Sequence, residues 1–588
     1  MKLTSLTTGT FQTPLQTTMN NPELAALFSE IADLLEIQNA NPFRIRAYRN
    51  ASRTIRTFTE PISDIYHDPD RKLTDLPGIG KDLAEKIAIA MSTGDLPMRR
   101  ELLNQIPSGL LTLLKLPGLG PKRAAILHQE LGITSLSGLR QAIKSKRVRA
   151  INGFGAKTEE TLLHGIEHLE EVGQQTYLSQ AIVEATEIVT HLKTVPALGK
   201  ISLAGSLRRR KETVRDIDIL VTSTDPTHIM DSLADCDRVN SVLSRGDTKM
   251  RVRLGTGLEL DLRVVTDDSY GAALQYFTGS KEHNIRIRKR AIERGLKVNE
   301  YGVFQDNERI AGKNEKDVYE VLDLTWMEPE LREDRGEIGQ AETGSLPQLI
   351  DLPDLKGDLH MHTTATDGRA SIQEMIIRSI EHGHQYIAIT DHSKRVTMAG
   401  GLDETQLRKH WDAIDTAAEQ YPSITVLKGI EVDILEDGSL DLPDSVLRDA
   451  DWVIASLHYG QKQPGDVITR RLLNAVENPC VSAIGHPTGR LIGRRRSYDV
   501  DLNMVFKAAA EYGCMLELNA QPSRLDLDDV ACMAAKKHGI PIVINSDAHS
   551  LDDLSGLQFG VFQARRAGLL PADVANTRSL SELQQMIR

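Results

Sequence analysis

A chain of 588 residues is too long for one hydrophobic core and points to about three to five folding units. Its 40% hydrophobic and 26% charged content excludes a disordered or fibrous protein, and no apolar run is long enough for a transmembrane helix. A net charge of −12 argues on average against a nucleic-acid partner, but residues 40–160 hold 20 Lys or Arg against 12 Asp or Glu. That basic stretch fits either phosphate contact or a solvated helical surface.

Residues 1–20 read as a disordered tail: Met1 to Thr18 is Thr-rich with one charged side chain and lacks the apolar run of a signal peptide. Regular sequence begins at Met19, an alternative start. Four scattered cysteines (Cys236, Cys480, Cys514, Cys532) form no CxxC pair, which argues against a zinc ribbon or disulfide scaffold and suits the cytoplasm.

From Pro22 to Ile166 the pattern is of short helices, with Leu24, Leu27, Phe28, Ile31 and Leu35 spaced for one helical face. A motif repeats three times here: Leu76-Pro-Gly78-Ile-Gly80, Leu116-Pro-Gly118-Leu-Gly120 and Ile151-Asn-Gly153-Phe-Gly155. Each precedes a Lys-containing helix. Glycine permits the tight turn and close approach of a phosphate, and the free N–H groups of the next helix can bind that anion.

From Lys200 the texture changes to strands, Ile217–Val221 and Leu258–Val265 among them. Asp216 and Asp218 face the same side of a strand, a costly like-charge pair unless cations sit between them. Asp261 supplies a third carboxylate from a later strand. Gly205 and Ser206 open a helix and offer donors for triphosphate oxygens, and Arg209 can add a bidentate contact. Two Mg²⁺ or Mn²⁺ ions held by the three aspartates would activate a primer 3′-hydroxyl. A lone DxD occurs by chance on surface strands; with the Gly-Ser turn and third Asp it is a nucleotidyltransferase signature.

After a helix and turn in Ala273–Phe304, an acidic stretch punctuated by Pro and Gly, Glu328 to Pro353, reads as a linker. Short aliphatic strands then alternate with amphipathic helices (Tyr386–Thr390, Val426–Gly429, Trp452–Leu457, Met515–Asn519, Pro541–Asn545), predicting an α/β barrel. His360, His362, Asp367, His392, Glu431, His458, His486, Asp547 and His549 fall at or near the ends of these strands. Nine such donors exceed the need of one ion, and imidazole with carboxylate suits Zn²⁺ or Mn²⁺. Arg494, Arg495 and Arg496 could hold a DNA phosphate or form an exposed basic loop.

These motifs resemble known families. The three glycine repeats resemble helix-hairpin-helix motifs, and Tyr276-Phe277-Thr-Gly279-Ser-Lys281-Glu-His-Asn284-Ile-Arg-Ile-Arg288 resembles the YFTGS segment of DNA polymerase β-like enzymes. The resemblance implies that Tyr276 and Phe277 shape the sugar pocket, Asn284 contacts the incoming base and Arg288 the template. Lys281 departs from the acidic residue of the vertebrate enzyme. The first repeat, with Arg44 and Tyr48 as basic and aromatic DNA contacts, resembles the lyase domain, and Lys86 matches its Schiff-base lysine; Lys86 as an ordinary surface lysine is the alternative. Asp82 stands where the family has a basic phosphate contact, and Phe43 where it has a histidine.

The histidine-rich spacing resembles the PHP (polymerase and histidinol phosphatase) family, implying a three-ion cluster with Glu431 bridging and His360, His362 and Asp547 around one ion. The whole is identified as a bacterial family X DNA polymerase with a C-terminal PHP domain. The expected division is a tail (1–20), a lyase-like helical domain (21–95) and a fingers-type region with the second and third hairpins (96–175). A nucleotidyltransferase palm (176–266), a nucleotide-selecting subdomain (267–330), a linker (331–354) and a (β/α)7-type barrel (355–588) follow. The family implies gap filling in base excision repair on gapped or nicked DNA with deoxynucleoside triphosphates, by a monomer without membrane contact. The barrel would act as 3′–5′ exonuclease, 3′-phosphatase or AP endonuclease. A template-independent nucleotidyltransferase and a catalytically silent repair scaffold are the rivals; the hairpins and Asn284/Arg288 oppose the first, the intact ligand sets the second.

Overall fold

The computed structural model describes Met19 and residues 21–58, 62–107, 109–114, 116, 118–151, 153–171 and 175–587. The expected tail therefore lies, Met19 apart, outside the described residues. The chain separates into two compact units, 1–173 and 174–588.

The first unit is helical. Helix Asn21–Ile37 buries Leu24, Leu27, Phe28, Ile31 and Leu35 on the face that their spacing defines. Helix Pro42–Thr57 begins with Pro at its first position and Asn41 accepting a bond from the Phe43 N–H. One apolar cluster runs from Leu24 to Ile166, so the stretches 21–95 and 96–175 share a core.

In the second unit, a five-stranded sheet has the order Leu198–Leu203, Asp216–Ser223, Glu259–Val265, Lys249–Leu254, Val239–Arg245. Its central pair is parallel, with Asp218 opposite Asp261. Helices Tyr270–Thr278 and Lys281–Glu293 and a three-stranded sheet follow. Last come seven parallel strands in sequential order: Gly357–Asp358, Tyr386–Ile389, Thr425–Asp433, Trp452–Ser456, Ala483–Ile484, Met515–Asn519 and Ile542–Asn545. A Met361–Ala548 bridge brings the first and last together, leaving a nearly closed (β/α)7 barrel. Tyr386, Ala388, Leu427, Trp452, Ile454, Ala483, Met515 and Val543 form one cluster inside it, and the alternate residues pack on the helices. Burial on both faces explains why these strands read as aliphatic runs without alternation.

Residues 331–354, expected to be a linker, are folded and packed. Arg332 is fully buried on Met327 O and Glu315, helix Glu337–Thr343 follows, and Glu337 lies 2.7 Å from His283. Of its acidic side chains, Glu333, Asp334, Glu342 and Asp351 pair with arginines distant in sequence. Among the described residues no helix is long and apolar enough to cross a membrane, and all four cysteines are free and buried.

Candidate active sites

The hairpins share one geometry. Gly78, Gly118 and Gly153 have φ of +78°, +77° and +86°, and the ring of each turn closes through Ile79, Leu119 or Phe154 N–H donating back three residues. Gly80 and Gly120 cap the helices Lys81–Thr93 and Pro121–Leu131, and Gly155 directly precedes Ala156–Glu171. A Cβ at any of the six glycines would meet no atom within 4 Å, so each turn presents bare backbone outward. Tyr48 differs from its expected role: it is 1% exposed against Phe28, with the Lys86 ammonium 5.8 Å above its ring. Lys86 is ion-paired with Asp82, and Arg44 reaches Met98.

In the palm, Asp216, Asp218 and Asp261 converge because the parallel register aligns the two strands. Burial, then Asp216 and Asp261, push Asp218 up to about 7, and burial with Asp261 raises Asp216. Burial alone would raise Asp261 too, but Arg251 outweighs it and holds the carboxyl below its ordinary range. Arg251 stands directly opposite on the neighbouring strand and donates Nε to Asp261 Oδ1 at 3.0 Å. Asp216 and Asp218 form a crowded carboxylate pair of the kind that divalent ions relieve, while both oxygens of Asp261 are bonded by Arg251. Gly205 has φ +61° and its Cα faces Asp218 so closely that a Cβ would lie 2.0 Å from Oδ2; only glycine brings the turn with Ser206 against this strand.

Arg209 is almost buried, donating to Glu333 at 3.0 Å and to Thr278 O at 2.7 Å. Tyr276 and Phe277 pack edge to face, with Arg288 6.0 Å above Tyr276. Asn284 donates to Tyr276 O (2.7 Å) and Gly279 O (3.2 Å), and a Cβ at Gly279 would strike it.

All nine barrel candidates meet at the C-terminal mouth. Glu431 is central: His392 Nδ1 lies 2.7 Å away, His486 3.2 Å, His458 3.4 Å, His360 3.5 Å and His362 3.7 Å. His362 approaches Asp547 at 3.2 Å, and Asp367 lies 3.4 Å from His392 and 3.5 Å from His549. Three overlapping donor sets have atoms within 4.8 Å of one another: His362/Asp367/His392/His549, His360/His362/Asp547 and His392/Glu431/His458. His360 Nε2, His362 Nδ1 and His486 Nδ1 are buried without a hydrogen-bond partner, and His392 Nδ1 and Glu431 Oε2, 2.7 Å apart, are not aligned for one. Orphaned donors on this scale are expensive unless cations complete them, so the residues fit a metal cluster. Burial and the neighbouring imidazoles of His392 and His549 hold His362 down to about 4, leaving a neutral ligand. Glu431 stays well below the carboxylate range because His458, His392 and His360 outweigh its burial. His486 and Asp547 have φ of +28° and +51°, strain that concentrates at such sites.

Supporting residues escaped the sequence reading. Glu517 lies 2.7 Å from His360 Nδ1 and accepts the His486 N–H at 2.6 Å. Asp433 holds His458 Nδ1 at 3.0 Å, and Asp391 is 2.8 Å from His410. A Glu inside the buried run Met515–Asn519 was the available signal.

Palm carboxylates and a buried imidazole–carboxylate pocket define a nucleotidyltransferase joined to a phosphoesterase domain whose residues could hold metal ions. Family models match residues 19–96 (helix-hairpin-helix domain), 110–167 (SAM-like helix-hairpin-helix tandem), 273–333 (DNA polymerase beta thumb) and 358–521 (PHP domain). The chain is 37% identical to the DNA polymerase/3′-5′ exonuclease PolX of Bacillus subtilis, over 97% of this chain and 100% of that one. A probable phosphatase of Thermoanaerobacter sp. is 32% identical over 37% of this chain and 89% of its own, and one of Caldanaerobacter subterraneus 33% identical over 34% and 77%. The chain belongs to the bacterial family X DNA polymerases that carry a C-terminal PHP domain.

Proposed function

We propose that the palm extends a DNA primer while the barrel hydrolyses 3′-terminal phosphodiesters or phosphomonoesters. The observation that carries the reading is the pairing, in one chain, of three convergent palm aspartates with the nine-donor pocket around Glu431. The substrates are gapped or nicked DNA and deoxynucleoside triphosphates, and the role is short-gap filling in base excision repair by a cytoplasmic monomer.

Asp216, Asp218 and Asp261 would hold Mg²⁺ or Mn²⁺, and the barrel set three Mn²⁺ or Zn²⁺ ions; bound there, such ions supply Lewis acidity and lower the pKa of the attacking oxygen. Arg251 fixes Asp261 and keeps it ionised. Gly205 and Ser206 offer donors to the triphosphate, and Tyr276, Phe277, Gly279 and Asn284 shape the nucleotide pocket, with Arg288 toward the template. The outward hairpin backbones hold DNA phosphates without reading sequence. In the barrel, Glu517 and Asp433 orient His360 and His458.

The reading is tested with Asp216→Asn/Asp218→Asn. Losing several kcal/mol of charge stabilisation predicts a loss of about a thousandfold or more in templated incorporation. Gapped-DNA binding and 3′ hydrolysis should stay at the wild-type level; persistent incorporation refutes the palm assignment. A deoxyribose phosphate lyase at Lys86 is supported by its place above Tyr48, and Lys86→Ala should then abolish borohydride trapping of a 5′-deoxyribose phosphate adduct.

A further inference from the structure

One cation at the barrel mouth neither ligates nor has a hydrogen-bonded partner. Arg524 follows the sixth barrel strand in Gln521-Pro-Ser-Arg-Leu525. Its Nε lies 3.8 Å from Asp547 Oδ2, beyond hydrogen-bond reach, and its side chain is 20% exposed. That carboxylate oxygen already accepts from Asn519 Nδ2 at 2.9 Å, and the other lies 3.2 Å from His362. The guanidinium forms no hydrogen bond to any described residue.

The backbone around it is held on both sides. Leu525 is 1% exposed within the apolar cluster of the palm, and its carbonyl accepts from Arg490. Arg490 is itself paired with Glu212 at 2.6 Å. The Ser523 carbonyl accepts the Ile492 N–H at 2.8 Å, and the Ile492 carbonyl accepts from the Tyr177 hydroxyl at 2.9 Å. The loop that presents Arg524 to the barrel site is thus anchored on the palm. Arg490, a structural arginine, is hydrogen-bonded through Nη2 to Glu212 and the Leu525 carbonyl, whereas the Arg524 guanidinium makes no such bond among the described residues.

A bland alternative is that Arg524 only balances the charge of Asp547. The 3.8 Å contact is an ion pair without a hydrogen bond, and His362 and Asn519 already serve that carboxylate.

We propose that Arg524 is a catalytic residue of the barrel site, gripping the non-bridging oxygens of the scissile phosphoryl group. This rests on the phosphoesterase reading above and adds to it the group that seats the phosphate. The sequence suggested Arg494, Arg495 and Arg496 for phosphate contact; the structure assigns the direct contact to Arg524, whose planar fork matches two phosphate oxygens. The P–O bond to the leaving sugar oxygen breaks and the water oxygen forms the new one. The two water protons end on the leaving hydroxyl and the released phosphate.

The test compares full-length, metal-loaded wild type, Arg524→Ala and Arg524→Lys. Metal content, inorganic phosphate affinity by calorimetry, hydrolysis of 3′-phosphorylated and 3′-hydroxyl DNA, and gap filling are measured on the same preparations. Expected are unchanged metal content and gap filling, phosphate affinity weakened at least about tenfold, and kcat/KM for hydrolysis lowered about a hundredfold in Arg524→Ala. Arg524→Lys should recover part of the phosphate affinity, since a point charge replaces the fork. Wild-type phosphate affinity in Arg524→Ala overturns the inference, as does loss of metal, which would make Arg524 a support for the ligands. A metal-loaded wild type that neither hydrolyses DNA nor binds phosphate instead refutes the phosphoesterase reading itself.

Discussion

Arg566, in the barrel helix Leu557–Arg566, donates to the main-chain oxygen of Arg209 in the palm at 2.8 Å. It also donates to the Glu333 carboxylate at 3.0 Å, the group that Arg209 grips, and to Asp529 at 2.7 Å. With Arg335 on Asp529 at 2.9 Å, this is a buried charge network joining the palm, the segment after the thumb and the barrel.

Removing Arg566 takes one guanidinium from each of two buried carboxylates, leaving Glu333 with Arg209 alone and Asp529 with Arg335 alone, and removes the donor to the Arg209 carbonyl. Arg566→Ala should therefore cost about 3–5 kcal/mol of unfolding free energy, far more than a surface arginine. Urea melts of the whole chain read it; a change within about 0.5 kcal/mol would mean that the network is solvated.

The same network sets an acid limit. Burial would raise Glu333, but Arg566, Arg209 and the other nearby cations outweigh it and bring the group to about 2, from an ordinary 4.5. Because the folded value is depressed, its stabilisation is full above about 4.5 and is lost as pH falls toward 2. The gap corresponds to about 3 kcal/mol. Urea midpoints between pH 6 and pH 3 should fall steeply in the wild type and less so in Glu333→Gln.

DNA affinity should drop steeply with salt, because the hairpins meet phosphates. Between 50 and 200 mM salt a loss of at least about tenfold is expected for gapped DNA, and Gly120→Val should reduce the slope. A flat salt response would remove the hairpins from the interface.

His360→Ala/His362→Ala should lower bound Mn²⁺ or Zn²⁺ per chain and abolish 3′ hydrolysis, leaving gap filling intact. Two of the three donor sets lose at least one ligand. Hydrolysis at the wild-type rate in metal-depleted protein would place the reaction elsewhere.

The chemistry of both sites was legible at short range. A strand puts residues i and i+2 on one face, so Asp216/Asp218 and His360/His362 announced carboxylate and imidazole pairs from spacing alone. The hairpin glycines were equally readable, since a positive φ and an open backbone admit few other residues. Tyr48 was misjudged because a helical aromatic shows its type but not its neighbours, and Phe28 and Met98 close over it.

The sequence by itself determined which residue types stand at each strand end and turn, and hence the reaction classes and the alternation that makes a barrel. Tertiary structure alone decided the partners. Arg251 became the clamp of Asp261 through strand register, and Glu517 the orienter of His360 through the closing of the barrel, 157 residues away. The acidic stretch 331–354 read as a linker because its charges look solvated one residue at a time. Arg209 and Arg566, 357 residues apart in sequence, supply the counter-charges that bury its Glu333. Ion pairing and burial depend on distance in space, and a linear pattern does not contain those distances.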